Sequence, residues 1–278
     1  MSTSLTESIN PNSRDIDLKS VPEILSIINQ EDAAVPQAVA KSLPAVAEAV
    51  NAAVKSLSGD GRLFYYGAGT SGRIGIIDAA ECPPTYGLEQ GKVIGVIAGG
   101  YGAMVKAVET AEDEFDSGIE SVRENNITAE DTVIGLSASG NTPFVTGALQ
   151  EAKRRGAATV GIINNEQGTV TDSADIRIFL LTGPEVITGS TRMKAATAQK
   201  LTINMISTAA MIKMGKVTGN FMTAMRPTNA KLHKRAQFIV GSICGISNDE
   251  AENLLSRNDH NIRASVNEFR QSGKSEEK

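Results

Sequence analysis

RLFYYGAGTSGRIGIIDAAE, residues 62–81, decides the fold. Residues 63–66 are an apolar and aromatic run that stops at Gly67, and GAGTSG (67–72) then opens a helical stretch over 74–80. An apolar run, a glycine-rich turn and a helix in that order make a strand–loop–helix unit. The step recurs at DTVIGLS (131–137), followed by Ser139-Gly140-Asn141-Thr142-Pro143 and a helix through Arg155. Further buried-strand runs lie at 92–98, 158–163 and 176–181. Strands that alternate with helices and read as nearly unbroken apolar runs predict a parallel sheet covered on both faces. The fold class is therefore α/β, a doubly wound parallel sheet flanked by helices.

Outward from this centre, residues 20–57 carry Ala, Val, Ile and Leu at helical spacing up to the Gly59-Asp60-Gly61 break. Helices are also expected over 101–125 and 190–215. Beyond Pro227 the chain is more polar, with helical patterns at 230–240, 248–256 and 261–269, and residues 271–278 read as disordered. The expected domains are 1–229, N-terminal helices plus the sheet domain, and 230–278, a small helical module.

Composition narrows the chemistry. The 278 residues are 41% hydrophobic and 21% charged, the balance of a soluble globular protein. Aromatics are 4%, with no Trp, and the net charge is −5, so neither stacking platforms nor a basic field favours nucleic acid or an anionic membrane. Residues 1–15 have no signal-peptide pattern, and no run of about 18 apolar residues occurs, so a cytoplasmic location is expected. Two Cys alone cannot build a four-thiolate zinc site, and two His, both late in the chain, argue against a Ser-His-Asp triad or a multi-His metal centre. Acid–base chemistry falls to carboxylates, Lys and Tyr.

Two turns can hold an anion on this acidic protein. Gly69, Thr70 and Ser71 in the first, and Ser137, Ser139, Asn141 and Thr142 in the second, offer close backbone approach, N–H groups at helix starts and hydroxyls. The first is not a Walker A loop, since no Lys-Ser/Thr follows its last Gly, and GAGTSG lacks the acidic residue that a dinucleotide site places at the end of the next strand. Glu81 sits before Pro83-Pro84, which are expected to end its helix and stiffen the backbone. At helix termini of that polarity a carboxylate is held protonated more easily. Glu109, Glu112 and Asp113 share a helix face if 101–125 is one helix; taken alone, such a face is usually a solvated one. Ser190 and Thr191 can cap the last long helix, while Arg192 and Lys194 stand early for cations and need a carboxylate or phosphate to meet.

GAGTSGRIGIIDAAECPPTYG (67–87), LSASGNTPFV (136–145) and GPEVITGSTRMKAATAQKLTINMIST (183–208) together closely resemble the N-acetylmuramic acid 6-phosphate etherase family. Thr6-Glu7, residues 10–17 and the tail extend the likeness over nearly the whole chain. The resemblance implies a sugar-isomerase (SIS) phosphosugar-binding fold with a ubiquitin-associated-like C-terminal module. It implies cleavage of a D-lactyl ether, a homodimer, and neither metal nor organic cofactor. It places the catalytic acid on Glu81, the second catalytic carboxylate on Glu112, and substrate or phosphate contacts on the two loops and on Ser190, Thr191 and Lys194. One departure is Ala196, where the family usually has Gly.

Competing readings are a phosphosugar isomerase or aminosugar deaminase, which has no need of ECPPT and GSTRMK, and a sugar-phosphate sensor like glucokinase regulatory protein. The latter carries two SIS domains in a much longer chain. A DNA-binding regulator lacks its basic helix-turn-helix here.

Overall fold

The structure, a computed structural model, describes residues 4–273. The last five residues of the segment read as disordered, 274–278, lie outside this range, whereas 271–273 are helical.

Three helices precede the sheet: α1 (Val21–Asp32), α2 (Val35–Ala40) and α3 (Leu43–Ser58). The helical region expected over 20–57 is three helices, and Pro22, Pro36 and Pro44 each sit in a first turn, where a missing N–H costs nothing. Ser20 and Glu23 close a capping box on α1. The core then alternates: β1 (Leu63–Gly67), α4 (Gly69–Tyr86), β2 (Val93–Ile97), α5 (Phe115–Glu124), β3 (Thr132–Ser137), α6 (Pro143–Arg154), β4 (Ala158–Ile163), α7 (Thr169–Asp172), β5 (Ile176–Phe179) and α8 (Lys194–Lys213). The five strands are all parallel, in the order β2-β1-β3-β4-β5.

Every residue of β1 and β3 is buried, as unbroken apolar strands at the centre of a covered sheet must be. On one face Phe64, Tyr66 and Val133 pack with Val122 of α5 and with Phe144, Val145 and Leu149 of α6. Tyr65 points the other way and donates its hydroxyl to Asp78 of α4 at 2.8 Å. The Asp78 carboxylate also accepts from Asn204 at 2.5 Å and Ser207 at 3.1 Å on α8, so one buried acid ties strand and two helices together. Burial pushes its pKa up, against the lowering effect of those donors.

Two expectations change. Pro83 and Pro84 do not end their helix: α4 runs on through both to Tyr86, and Gly87, left-handed at φ +59°, closes it by donating to the Pro83 carbonyl at 2.9 Å. Residues 101–125 are not one helix either. They form two 3₁₀ turns, Tyr101–Met104 and Glu109–Asp113, followed by α5.

The chain divides into two compact units: residues up to Ala80 with Gly91–Ala210, and Glu81–Gln90 with the residues from Met211 on. In the second, α9 (Ala230–Cys244), α10 (Asn248–Arg257) and α11 (Ile262–Gly273) enclose Ile239, Val240, Leu254, Leu255, Ile262 and Val266. Asn229 caps α9, left-handed Gly245 ends it, and a Ser247–Glu250 capping box starts α10. No helix of the described residues is long and apolar enough to cross a membrane.

Candidate active site

The two hydroxyl-rich loops, separated by another strand in sequence, are neighbours in the sheet. β1 lies directly between β2 and β3, and Gly67 is the register partner of Leu136. The backbone therefore enters both loops roughly 5 Å apart, at the carboxyl ends of adjacent strands. The chain leaves β1 toward one side of the sheet and β3 toward the other, so this is the topological switch point where open α/β sheets bind ligands.

The first loop is drawn tight. A Cβ on Gly67 would stand 2.6 Å from the Gly72 nitrogen, and one on Gly72 2.6 Å from the Ile97 side chain. Side chains at either position would open the turn that sets Gly69, Thr70 and Ser71 at the start of α4. Gly69 is exposed, Thr70 half-buried and Ser71 buried.

In the second loop the Ser137 hydroxyl is the hub. It lies 2.7 Å from the Thr142 hydroxyl and 3.3 Å from that of Ser139, and accepts from the Gly140 N–H at 2.9 Å. Thr142 precedes α6 yet makes no side-chain cap, so the positive end of a 12-residue helix is left facing the loop. Asn141 directs its carbonyl to the Thr169 N–H at 3.1 Å, fixing the loop to α7.

Asn165, just past β4, was not singled out by the sequence. Its amide donates to the Ser139 carbonyl at 2.8 Å and accepts from the Leu5 N–H at 2.7 Å, binding the N-terminal turn to the second loop. Buried polar residues after a strand, GIINN (161–165), were the available signal.

Glu112 borders a cavity of about 130 Å³ that is also lined by Gly69, Arg73 and Glu109. At three residues per 3₁₀ turn, Glu109 and Glu112 eclipse one another while Asp113 turns away, and Asp113 is absent from the lining. Partial burial, then the Asp113 and Glu109 carboxylates, push the Glu112 pKa above the ordinary value. Arg73 of α4 donates to the Ala103 and Met104 carbonyls at 2.8 and 3.0 Å, holding the preceding turn against the cavity wall. Glu81 is exposed on α4, in the second compact unit.

The helix expected from Ser190 starts at Lys194 instead, so Ser190 and Thr191, both half-buried, lie in the turn before it and do not cap it. Its cap is Glu185, whose carboxylate accepts from the Lys194 and Ala195 N–H groups at 3.0 and 2.9 Å. Burial raises the Glu185 pKa while those two donors pull it down. The early cation meets a carboxylate: Lys194, 2% exposed, places Nζ 2.5 Å from Glu31, which also accepts from Asn10 and Asn12. Burial raises the Glu31 pKa, but the bonds from Asn12, Lys194 and Asn10 outweigh it and hold the carboxyl low. Among the described residues no group of three His, Cys, Asp or Glu side chains is placed to hold a metal ion.

Two family models match. The glucokinase regulatory protein N-terminal SIS domain covers residues 45–153, and the SIS domain covers residues 106–209. Solved structures share the fold: phosphoheptose isomerase from Neisseria gonorrhoeae (TM-score 0.52, 20% identity, 71% of this chain and 100% of that one), and the Vibrio vulnificus NanR protein complexed with ManNAc-6P (TM-score 0.51, 16% identity, 72% and 67%). The fold is thus the SIS type of doubly wound sheet. N-acetylmuramic acid 6-phosphate etherase from Caldanaerobacter subterraneus subsp. tengcongensis is 49% identical over 94% of this chain and 86% of its own. The enzyme of that name from Yersinia pestis (strain Pestoides F) is 48% identical over 94% of this chain and 89% of its own. At that identity over almost its whole length, the chain belongs to the N-acetylmuramic acid 6-phosphate etherase family.

Proposed function

We propose that the chain cleaves the D-lactyl ether of N-acetylmuramic acid 6-phosphate to give D-lactate and N-acetylglucosamine 6-phosphate. The observation that carries this reading, beside family membership, is the raised-pKa Glu112 in the wall of a cavity shared with Gly69 of the first loop. The phosphate is held by Gly69, Thr70, Ser71, Ser137, Ser139, Asn141 and Thr142, through helix-start N–H groups and hydroxyls. Ser190 and Thr191 contact the sugar, and Lys194, its ammonium committed to Glu31, sets the course of their segment.

An unactivated ether resists displacement, so the open-chain aldehyde does the work. Its carbonyl at C1 acidifies the C2 proton. Glu112 removes that proton, the C3–O bond breaks, and Glu81 protonates the departing lactate oxygen. Water then adds at C3, giving a proton to Glu81, and Glu112 returns one to C2. Two carboxylates in opposite protonation states suffice. A raised pKa makes Glu112 a stronger base than an ordinary carboxylate.

The working form is a homodimer in the cytoplasm, where phosphorylated sugars are retained. The test is D-lactate release from N-acetylmuramic acid 6-phosphate by the purified protein. Lactate released in step with substrate loss is the expected result; conversion of aldose to ketose phosphate without lactate supports the isomerase reading instead.

A further inference from the structure

The second compact unit contains a cavity of about 850 Å³ that none of the proposed catalytic or phosphate-binding residues lines. Its size falls within the range of small-molecule sites. Its walls are polar and cationic: Lys216, Arg226, Arg257 and Arg263 line it, with Asp259 as the one carboxylate. This surplus of positive charge stands on a protein of net charge −5. Arg257 is matched by Glu268 at 3.3 Å, and the Arg263 guanidinium is held by the Gly215 carbonyl, which fixes its position and leaves its charge uncompensated. Lys216 and Arg226 have no ion-pair partner among the described residues.

The wall between α10 and α11 is built in an uncommon conformation. Asp259 and His260 are consecutive non-glycine residues in the left-handed region, at φ +49° and +55°. The His260 ring packs edge-on against His233 at 4.8 Å, and its Nδ1 is buried without a hydrogen-bond partner among the described residues.

We propose that this cavity binds a phosphate monoester of a polar small molecule, with Lys216, Arg226 and Arg263 meeting the phosphate. Guanidinium and ammonium donors give charge-assisted hydrogen bonds to phosphate oxygens. The Thr223 and Thr228 hydroxyls and the Asn261 amide, also in the lining, suit the hydroxyls of a sugar rather than an apolar body.

The test is a backbone-amide NMR titration of the full chain with glucose 6-phosphate, comparing wild type with the Lys216→Gln/Arg226→Gln double variant. In the wild type, amides of residues 257–264 are expected to shift in a saturable way. The double variant should weaken that response by about ten-fold or more, while shifts at Ser139 and Gly140 of the sheet loops stay as in wild type. Neither replaced side chain is buried, so the fold should persist, as a thermal melt checks; Arg226→Gln alone gives the same readout if the double variant fails to fold. Unshifted amides at 257–264 under millimolar ligand, or an equal response in the variant, overturns the proposal. Because the readout is binding in this unit, failure here is separable from failure of the etherase reading.

Discussion

Glu112→Gln is expected to lower kcat by about 10³-fold or more while phosphosugar still binds, the size of effect that follows loss of a positioned acid–base group. Glutamine keeps the shape of the side chain and cannot accept the C2 proton. Glu81→Gln should cost a comparable factor, since lactate then leaves without a proton. Steady-state kinetics and product binding measured on the same preparations check both. A near-normal kcat in either variant removes that residue from the scheme.

The pH profile separates the two roles. A base works deprotonated, so activity falls on the acid side as pH drops through the Glu112 pKa, which lies above the ordinary carboxylate value. Asp113 contributes to that elevation without lining the cavity. Asp113→Asn removes a neighbouring negative charge, so the acid limb should move to lower pH, with the maximal rate little changed. A limb that stays in place means that Glu112 does not set it.

Lys194→Met is expected to destabilise the fold by about 3 kcal/mol, the cost of leaving a buried charge without its partner. Lys194 is 2% and Glu31 14% exposed, and the methionine fills the volume but abandons the carboxylate. The pH dependence has a definite sign. Glu31 has a lowered pKa in the folded state, so its stabilising contribution is present above the ordinary value of 4.5 and is lost as pH falls through the folded pKa. Wild type and Lys194→Met should therefore converge in acid. Adding Glu31→Gln should recover much of the loss, because the orphaned charge is then gone. Urea denaturation midpoints across the pH range compare wild type with both variants.

How far these features could be read in advance depended on the range of the interaction. β1, β3 and β4 follow from short apolar runs, and α9 and α10 from helical patterns in the more polar sequence after Pro227. The hydroxyl loops were legible for the same reason. Their adjacency was not, because strand order is decided by where helices pack and not by any local pattern. Glu112 was visible as one acid in an acidic group, and only the 3₁₀ geometry separates it and Glu109 from Asp113. The partners of Lys194 lie nine residues away at Glu185, through its backbone, and 163 away at Glu31, a distance at which no spacing rule operates. Proline was over-read at Pro83-Pro84, where a helix end was expected and Gly87 provides it.

The most direct measurement of the central claim is the reaction of N-acetylmuramic acid 6-phosphate in D₂O, with the N-acetylglucosamine 6-phosphate product examined by NMR and mass spectrometry. Removal of the C2 proton by Glu112, exchange of that carboxyl with solvent and delivery of a solvent deuteron back to C2 predict product carrying deuterium at C2. Product formed with lactate released but no deuterium at C2 would contradict the elimination–addition route.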